Sequence, residues 1–230
     1  MARIRTWLFL PTLVMVSLVL AACSRPQAAT PTPTAPAGTS ATAPDSRPAA
    51  AVTFRIVPDQ SEARYRVREQ LAALPFPSDA VGRTQAISGT VAFAADGSII
   101  SPASKVTVDL RTLRSDQARR DNFIRRNTLE VDRYPTAEFL PREARGLRWP
   151  LPTSGEATFQ LVGDMTIHGT TRPVTWDVTA RFDGNRVTGT ATTSFKFEDF
   201  NMQVPRVAVV LSVEDNIRLE VDFTFVGEAA

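Results

Sequence analysis

From residue 155 onward apolar and polar side chains alternate with a period of two, and this pattern constrains the fold more than any other feature of the sequence. Such a period belongs to β-strands with one buried and one wetted face, since successive side chains of a strand point to opposite sides of the sheet. Phe159, Leu161, Met165 and Ile167 fall on one side, with Thr158, Gln160, Asp164 and Thr166 on the other. Val174, Trp176, Val178, Ala180 and Phe182 oppose Thr175, Asp177, Thr179 and Arg181 in the next run. Near the C-terminus Ile217, Leu219, Val221, Phe223 and Phe225 oppose Arg218, Glu220, Asp222 and Thr224.

The connectors fit this pattern. HGTTRP at 168–173 and DGN at 183–185 carry turn chemistry, which predicts antiparallel hairpins. Less regular strands are expected at 52–57, 61–68, 84–95, 104–110 and 136–147, and a further one at 187–198 brings the total to about nine. A single open sheet of that width would expose its edges, which leaves a closed barrel or a two-layer sandwich. Strands of ten residues or more favour the barrel, because sandwich strands are usually about five or six residues long. One segment departs from the β pattern. Residues 114–126, RSDQARRDNFIRR, predict a short helix or helical loop at one barrel end, with Ser115 as N-cap and Asp116 in the first turn. Its five arginines against two aspartates read either as a solvated surface or as a basic rim for anionic lipid head groups.

The N-terminal region is of another kind. Arg3 and Arg5 precede the apolar run WLFLPTLVMVSLVLAA, which ends at Cys23, so residues 1–22 are expected to be an export signal. LAAC at 20–23 resembles a lipobox, which makes Cys23 the expected site of lipid attachment and the chain an exported lipoprotein of a bacterial envelope. Residues 24–51 are rich in Pro, Ala, Thr and Ser and contain no aromatic residue, the composition of an extended tether. At about 3.1 Å per residue it could hold a domain roughly 85 Å from a bilayer. The expected organisation is therefore a signal at 1–22, a lipidated Cys23 and tether at 23–51, and a folded domain at 52–230.

Composition narrows the chemistry. Of 26 Lys and Arg, Arg3 and Arg5 lie in the signal, which leaves 24 basic residues against 24 acidic ones, without the excess of a nucleic-acid binder. With a single cysteine no intramolecular disulfide or Cys-rich metal site is possible. His168 is the only histidine, and beside Gly169 in a turn it reads as a turn or capping residue. No Ser-His-Asp grouping is visible and no His/Cys metal cluster is expected, while an all-oxygen site for a hard cation would leave no such signature.

Several landmarks then align with one family. They are Asp59, Ser61 and Val67 in a D-x-S-x-x-x-x-x-V strand; Arg120 and Asp121; Tyr134, Pro135, Thr136 and Phe139; GDMTIHGTTRPV at 163–174; and Asp199, Phe200 and Asn201 in place of a D-F-G turn. With these the chain, from about 54 to 226, resembles the YceI-like family of exported polyisoprenoid-binding proteins. The resemblance implies an all-β fold, a lipocalin-like antiparallel barrel whose elongated apolar cavity receives an isoprenoid tail. Phe123 and Ile124 stand where the family usually has His and Leu, which makes that region more apolar and removes any polar head-group contact the histidine would make.

The inward set of such a barrel either fills the interior or lines a cavity. The candidate lining residues are Phe93, Phe123, Phe159, Leu161, Trp176, Val178, Phe182, Phe195, Phe197, Leu219, Val221 and Phe223. Arg120 and Asp121 are neighbours whose side chains diverge, so they read as ion-pair or loop braces or as residues of the cavity mouth. The expected function is non-catalytic binding, carriage or storage of a long isoprenoid lipid, such as a quinone tail, with no further cofactor and with the membrane reached through the N-terminal anchor. A ligand-free structural or adhesive lipoprotein, or an enzyme acting on a lipid, are the alternatives.

Overall fold

A computed structural model describes residues 50–229 of the chain. The expected signal, Cys23 and all but the last two residues of the expected tether lie outside the described residues. Among the described residues there are eleven strands: β1 (Ala50–Ile56), β2 (Glu62–Leu71), β3 (Ser78–Thr84), β4 (Ile87–Ala94), β5 (Lys105–Asp109), β6 (Thr136–Arg145), β7 (Ser154–Ile167), β8 (Thr170–Asp183), β9 (Arg186–Phe195), β10 (Val210–Val213) and β11 (Ile217–Ala229). The first strand begins at Ala50, two residues ahead of the expected boundary, because its start is already paired with Ala94 of β4.

The strands close into an eight-stranded antiparallel barrel. Around it run β1, β4, β5, β6, β7, β8, β9 and β11, and β11 returns to β1. The long hairpin β7–β8 pairs from Ile167↔Thr170 to Ser154↔Asp183, so its turn is only His168 and Gly169. The expected six-residue connector is thus mostly strand.

The remaining strands continue the barrel wall and run on past its rim. β11 pairs with β1 near its C-terminal end and with β2 nearer its start, so β1 and β2 follow one edge of β11 and bend at Pro58–Gln60. Beyond Arg66↔Arg218, β2 continues outward with β3 on one side and β10 on the other. β10 thereby extends the line of β11 past an interruption at 214–216, where Asp215 accepts from the Phe197 N–H at 3.0 Å. β3 and β10 were not expected from the sequence. In β3 the residues facing the lumen side are small, Ala80 and Gly82, while Val81 stands outward, which inverts the apolar signal. β10 is only four residues long.

The helix is shorter than expected. α1 spans Ala118–Phe123 and continues into a five-residue π-turn, Ile124–Thr128. Ser115 is not its N-cap; that position falls to Gln117, which makes no side-chain capping bond. The carboxylate of Asp121 instead reaches back to accept from the Ser115 N–H at 2.9 Å and its hydroxyl at 2.7 Å, closing the preceding loop on the helix.

Barrel curvature requires close strand contact at defined points. A Cβ on Gly163 would lie 2.2 Å from the carbonyl oxygen of Leu140, beside the register shift between Pro141 and Glu143. Only glycine fits there, because a backbone carbonyl held in a ladder cannot give way.

At the β1–β2 bend the ladder to β11 loses a carbonyl partner. The buried Ser61 hydroxyl takes its place, accepting from the Thr224 N–H at 3.0 Å and donating to the Val57 carbonyl at 2.8 Å. Replacing Ser61→Ala strands the Thr224 donor in a dry interior, which costs about 1–3 kcal/mol. Urea unfolding should show a lower midpoint at unchanged slope, and an unaltered midpoint would mean that the bend is held by other bonds.

Candidate functional site: an apolar lumen

The barrel encloses a cavity of about 460 Å³, walled almost wholly by carbon. All twelve candidate residues lie on its wall: Phe93, Phe123, Phe159, Leu161, Trp176, Val178, Phe182, Phe195, Phe197, Leu219, Val221 and Phe223. Their exposure differs in an informative way. Trp176, Val178 and Phe182 are buried, whereas Phe159, Leu161, Leu219, Val221 and Phe223 point inward yet remain half-exposed. Inward side chains stay half-exposed only beside space wide enough for solvent-sized contact, so the interior is not filled by its own side chains.

One end of the lumen is plugged. Trp149, in the β6–β7 loop, stacks on Phe93 with ring centroids 6.0 Å apart, and its indole N–H donates to the Ala95 carbonyl at 2.8 Å. Leu147 and Leu151 of the same loop join the lining. Sequence reasoning missed this floor, because the loop has no strand partner and no periodic context to mark its apolar residues as inward.

The other end is open. The lining residues there that are also solvent-exposed are Gln117, Arg119 and Val209, so the mouth lies between α1 and the segment leading into β10. Leu71, Pro205, Val207, Val210 and Val213 continue the apolar wall onto the projecting strands. This segment was also missed, being an apolar stretch without alternation.

α1 covers part of the mouth as a lid. Arg120 fastens it, bonding Glu69 of β2 and Asp116, each at 2.5 Å. Burial works against the Arg120 charge, but the bonds to Glu69 and Asp116 outweigh it and hold its pKa above the ordinary guanidinium value. The nearby Tyr65 hydroxyl lines the lumen, and burial pushes its pKa well above that of a free phenol, so it stays neutral. Arg120 therefore does sit at the mouth. Asp121 does not: it is buried, off the cavity wall, and its carboxylate is spent on Ser115. Of the five arginines of 114–126, read as a solvated surface or a basic rim, Arg120 and Arg125 are turned inward to such bonds, Arg125 donating to the Leu113 carbonyl at 2.8 Å.

His168 lies off the lumen. Its Nε2 is 3.2 Å from the Glu130 carboxylate, and its ring meets Tyr134 edge-on at 4.7 Å. His168, at φ 50°, and Glu130, at φ 47°, hold left-handed backbone conformations, which suits the turn role expected of His168. Arg172 of the same motif donates to the Asp199 carbonyl at 3.0 Å. The following Asn201 takes the left-handed position, φ 55°, where the family pattern has glycine. Among the described residues no three His, Cys, Asp or Glu side chains cluster in a way that would hold a metal ion.

Fold and lumen together define an antiparallel barrel of lipocalin-like form with an apolar interior. The YceI-like domain model matches residues 54–225, and the chain belongs to that family. A UPF0312 protein of Pseudomonas putida (strain W619) is 36% identical over 112 residues, which is 45% of this chain and 55% of the relative. One of Pseudomonas syringae pv. tomato is 29% identical over 134 residues, 54% of this chain and 62% of the relative. The chain thus spans little more than half the length of the curated relatives it matches. Among solved structures, a polyisoprenoid binding domain from Saccharophagus degradans superposes with TM-score 0.61 at 12% identity, covering 79% of this chain and all of that one. BcnA of Burkholderia cenocepacia superposes with TM-score 0.54 at 19% identity, over 74% and 98% of the two chains. At these identities the likeness is one of fold.

The lid bonds differ in burial, and their effects should differ with it. Arg120→Ala leaves Glu69, whose side chain is 8% exposed, as an unpaired buried carboxylate and should cost about 3–5 kcal/mol. Asp116→Ala removes a carboxylate that is 74% exposed and should cost less than about 1 kcal/mol. Chemical denaturation of both variants checks this, and equal losses would show that Glu69 does not carry the lid.

Proposed function

We propose that this protein binds a long apolar lipid of the isoprenoid class, the tail of a quinone included, and carries or stores it at the bacterial cell envelope without chemical change. The observation that carries the reading is the apolar lumen of about 460 Å³, walled by Leu147 and Leu151 of the β6–β7 loop at one end and open beside α1 at the other. That volume falls in the usual range for small-molecule sites, but the near-absence of polar lining groups suits a hydrocarbon chain rather than a drug-like or sugar ligand. The name of the Saccharophagus degradans neighbour, a polyisoprenoid binding domain, points the same way.

Energetics are consistent with carriage. Removing several hundred Å² of prenyl surface from water gains on the order of 10 kcal/mol gross. Ordering the chain and losing its free motion offset much of this. A ligand drawn from a bilayer also gives up the burial it already had, so the net affinity is modest and exchange is feasible. The twelve wall residues named above are the proposed ligand contacts, and Arg120 a residue of the gate. The sequence further supports export through residues 1–22 and acylation of Cys23, with the domain outside the cytoplasmic face. Acyl chains contribute about 0.8 kcal/mol per buried methylene, so several on Cys23 would hold the chain to its membrane.

The test is occupancy. Native mass spectrometry of protein released gently from membranes should find a prenyl lipid bound, and delipidated protein should take one up again. Leu219→Trp adds bulk into open lumen and should lower uptake by about tenfold or more with little loss of stability. If neither parent nor reloaded protein carries lipid, the structural or adhesive reading stands instead. Conversion of the added lipid would favour an enzyme.

A further inference from the structure

The strands that project past the rim have an unusual tip. Among the described residues, the large apolar side chains that are exposed are Leu74, Phe76, Val209 and Leu211, at 44%, 76%, 56% and 68%. All four lie on the projection. Leu74 and Phe76 belong to the β2–β3 turn, and β10 brings the others beside it through the Val210↔Leu71 pairing and the bond from the Ala72 N–H to the Val209 carbonyl, 3.0 Å.

The turn itself is chemically odd for one in water. Residues 72–77 read AALPFP, with none of the Gly, Asn, Asp or Ser that usually build a solvated hairpin tip. Part of its polar backbone is met by the chain itself. Gln70 donates to the carbonyls of Leu71 at 3.0 Å and Leu74 at 2.6 Å, and Pro75 and Pro77 carry no N–H. Those bonds and the two missing donors leave fewer backbone groups to strand in an apolar surrounding than a turn without them, while its apolar side chains stand exposed. The exposed Arg68, Arg119 and Arg206 belong to β2, α1 and the segment leading into β10; Arg68 pairs with Asp79 at 3.3 Å, and the other two offer positive charge to anionic head groups.

We propose that this projection docks onto an anionic lipid bilayer, with the 72–77 turn and Leu211 entering the acyl boundary and the arginines resting among the head groups. The patch is continuous with the lumen, since Val209 is at once exposed and part of the cavity wall, with Leu71 and Val210 beside it. Docking therefore turns the mouth toward the membrane. The docking stands on the patch alone; its consequence, that a chain slides between bilayer and lumen without crossing water, rests on the carrier reading. The arginines beside the tip would meet like charges on a second copy of the chain, so an anionic lipid surface fits the projection better.

The experiment uses the full chain reconstituted in phosphatidylcholine and phosphatidylglycerol vesicles whose acyl chains are brominated. A tryptophan is introduced at the tip by Phe76→Trp or, as control, in the β8–β9 turn at the opposite end by Asn185→Trp, and the parent's own emission is subtracted. Docking predicts loss of emission from the tip position and none from the control, with the loss abolished by Leu211→Asp in a protein of unchanged unfolding midpoint. Equal quenching at both ends, or none at either, overturns the proposal. So does a concentration-dependent blue shift at the tip without bromine quenching, the signature of self-association. Loading of a prenyl chain from detergent micelles, measured on the same proteins, separates the two ideas. Quenching without loading retains docking and removes carriage; loading without quenching does the reverse.

Discussion

Closure of the barrel along β11 is the constraint on which the rest of the structure depends. This thirteen-residue strand pairs with β9 along one edge and with β2 and then β1 along the other, so the last strand of the barrel is joined to its first. Closure removes the exposed edges that so wide a sheet would have, and it turns alternation into a division between lumen and exterior. The join is weakest where β1 gives way to β2, and there Ser61 supplies the acceptor that the bent backbone cannot. The outer face of the same seam is charged: Arg64 bonds Glu62, Glu220 and Asp222, and the Arg64 bond holds the Asp222 carboxyl below its usual range. Arg64, Glu62 and Glu220 are half-buried and Asp222 is exposed, so the network adds modest stability, and like charges in its place would repel across the join.

Viewed through these contacts, the family motifs serve architecture at the open end more than chemistry. His168 and Gly169 make a two-residue turn, and a Cβ on Gly169 would strike the Tyr134 ring at 2.6 Å, so the histidine-glycine pair and the Tyr-Pro-Thr segment fit as one unit. Arg172 ties that turn to the Asp199 segment, whose Phe200 is fully buried against Phe195, 4.6 Å between rings. The mouth is thus braced from two sides while α1 is held across it by Arg120 and Glu69. A rigid rim with a small, separately fastened lid lets the opening change without loosening the barrel.

Period-two alternation made the fold and the lumen wall legible in the sequence, because in a closed barrel that period decides which side chains face inward. It failed where inward residues are small or the backbone is irregular. Ala80 and Gly82 hid β3, and the short β10 carries no alternation. Leu147, Trp149 and Leu151 form the floor from a loop, and only tertiary contact with Phe93 and Ala95 reveals their place. Local capping rules misled at Ser115, since its hydroxyl is taken by Asp121, six residues on, in preference to the helix start. Adjacency likewise said that Arg120 and Asp121 diverge but could not say which faced the lumen.

The width of the lumen is itself a sequence property. Ala63, Ala80, Ala137, Ala180 and Ala191 lie on its wall among the phenylalanines, on five different strands. Larger aliphatic residues at such positions would fill the barrel and add burial. Cavity volume in a core costs roughly 24 cal/mol per Å³, so a void of this size forgoes stability on the order of 10 kcal/mol, as much as a whole domain commonly has. Water does not recover that cost, since it needs two to four polar partners and this wall provides almost none. A barrel that served only as a spacer would gain by filling itself. One that accepts a hydrocarbon chain recovers the missing contacts from its ligand, and the alanines are then what makes room for it.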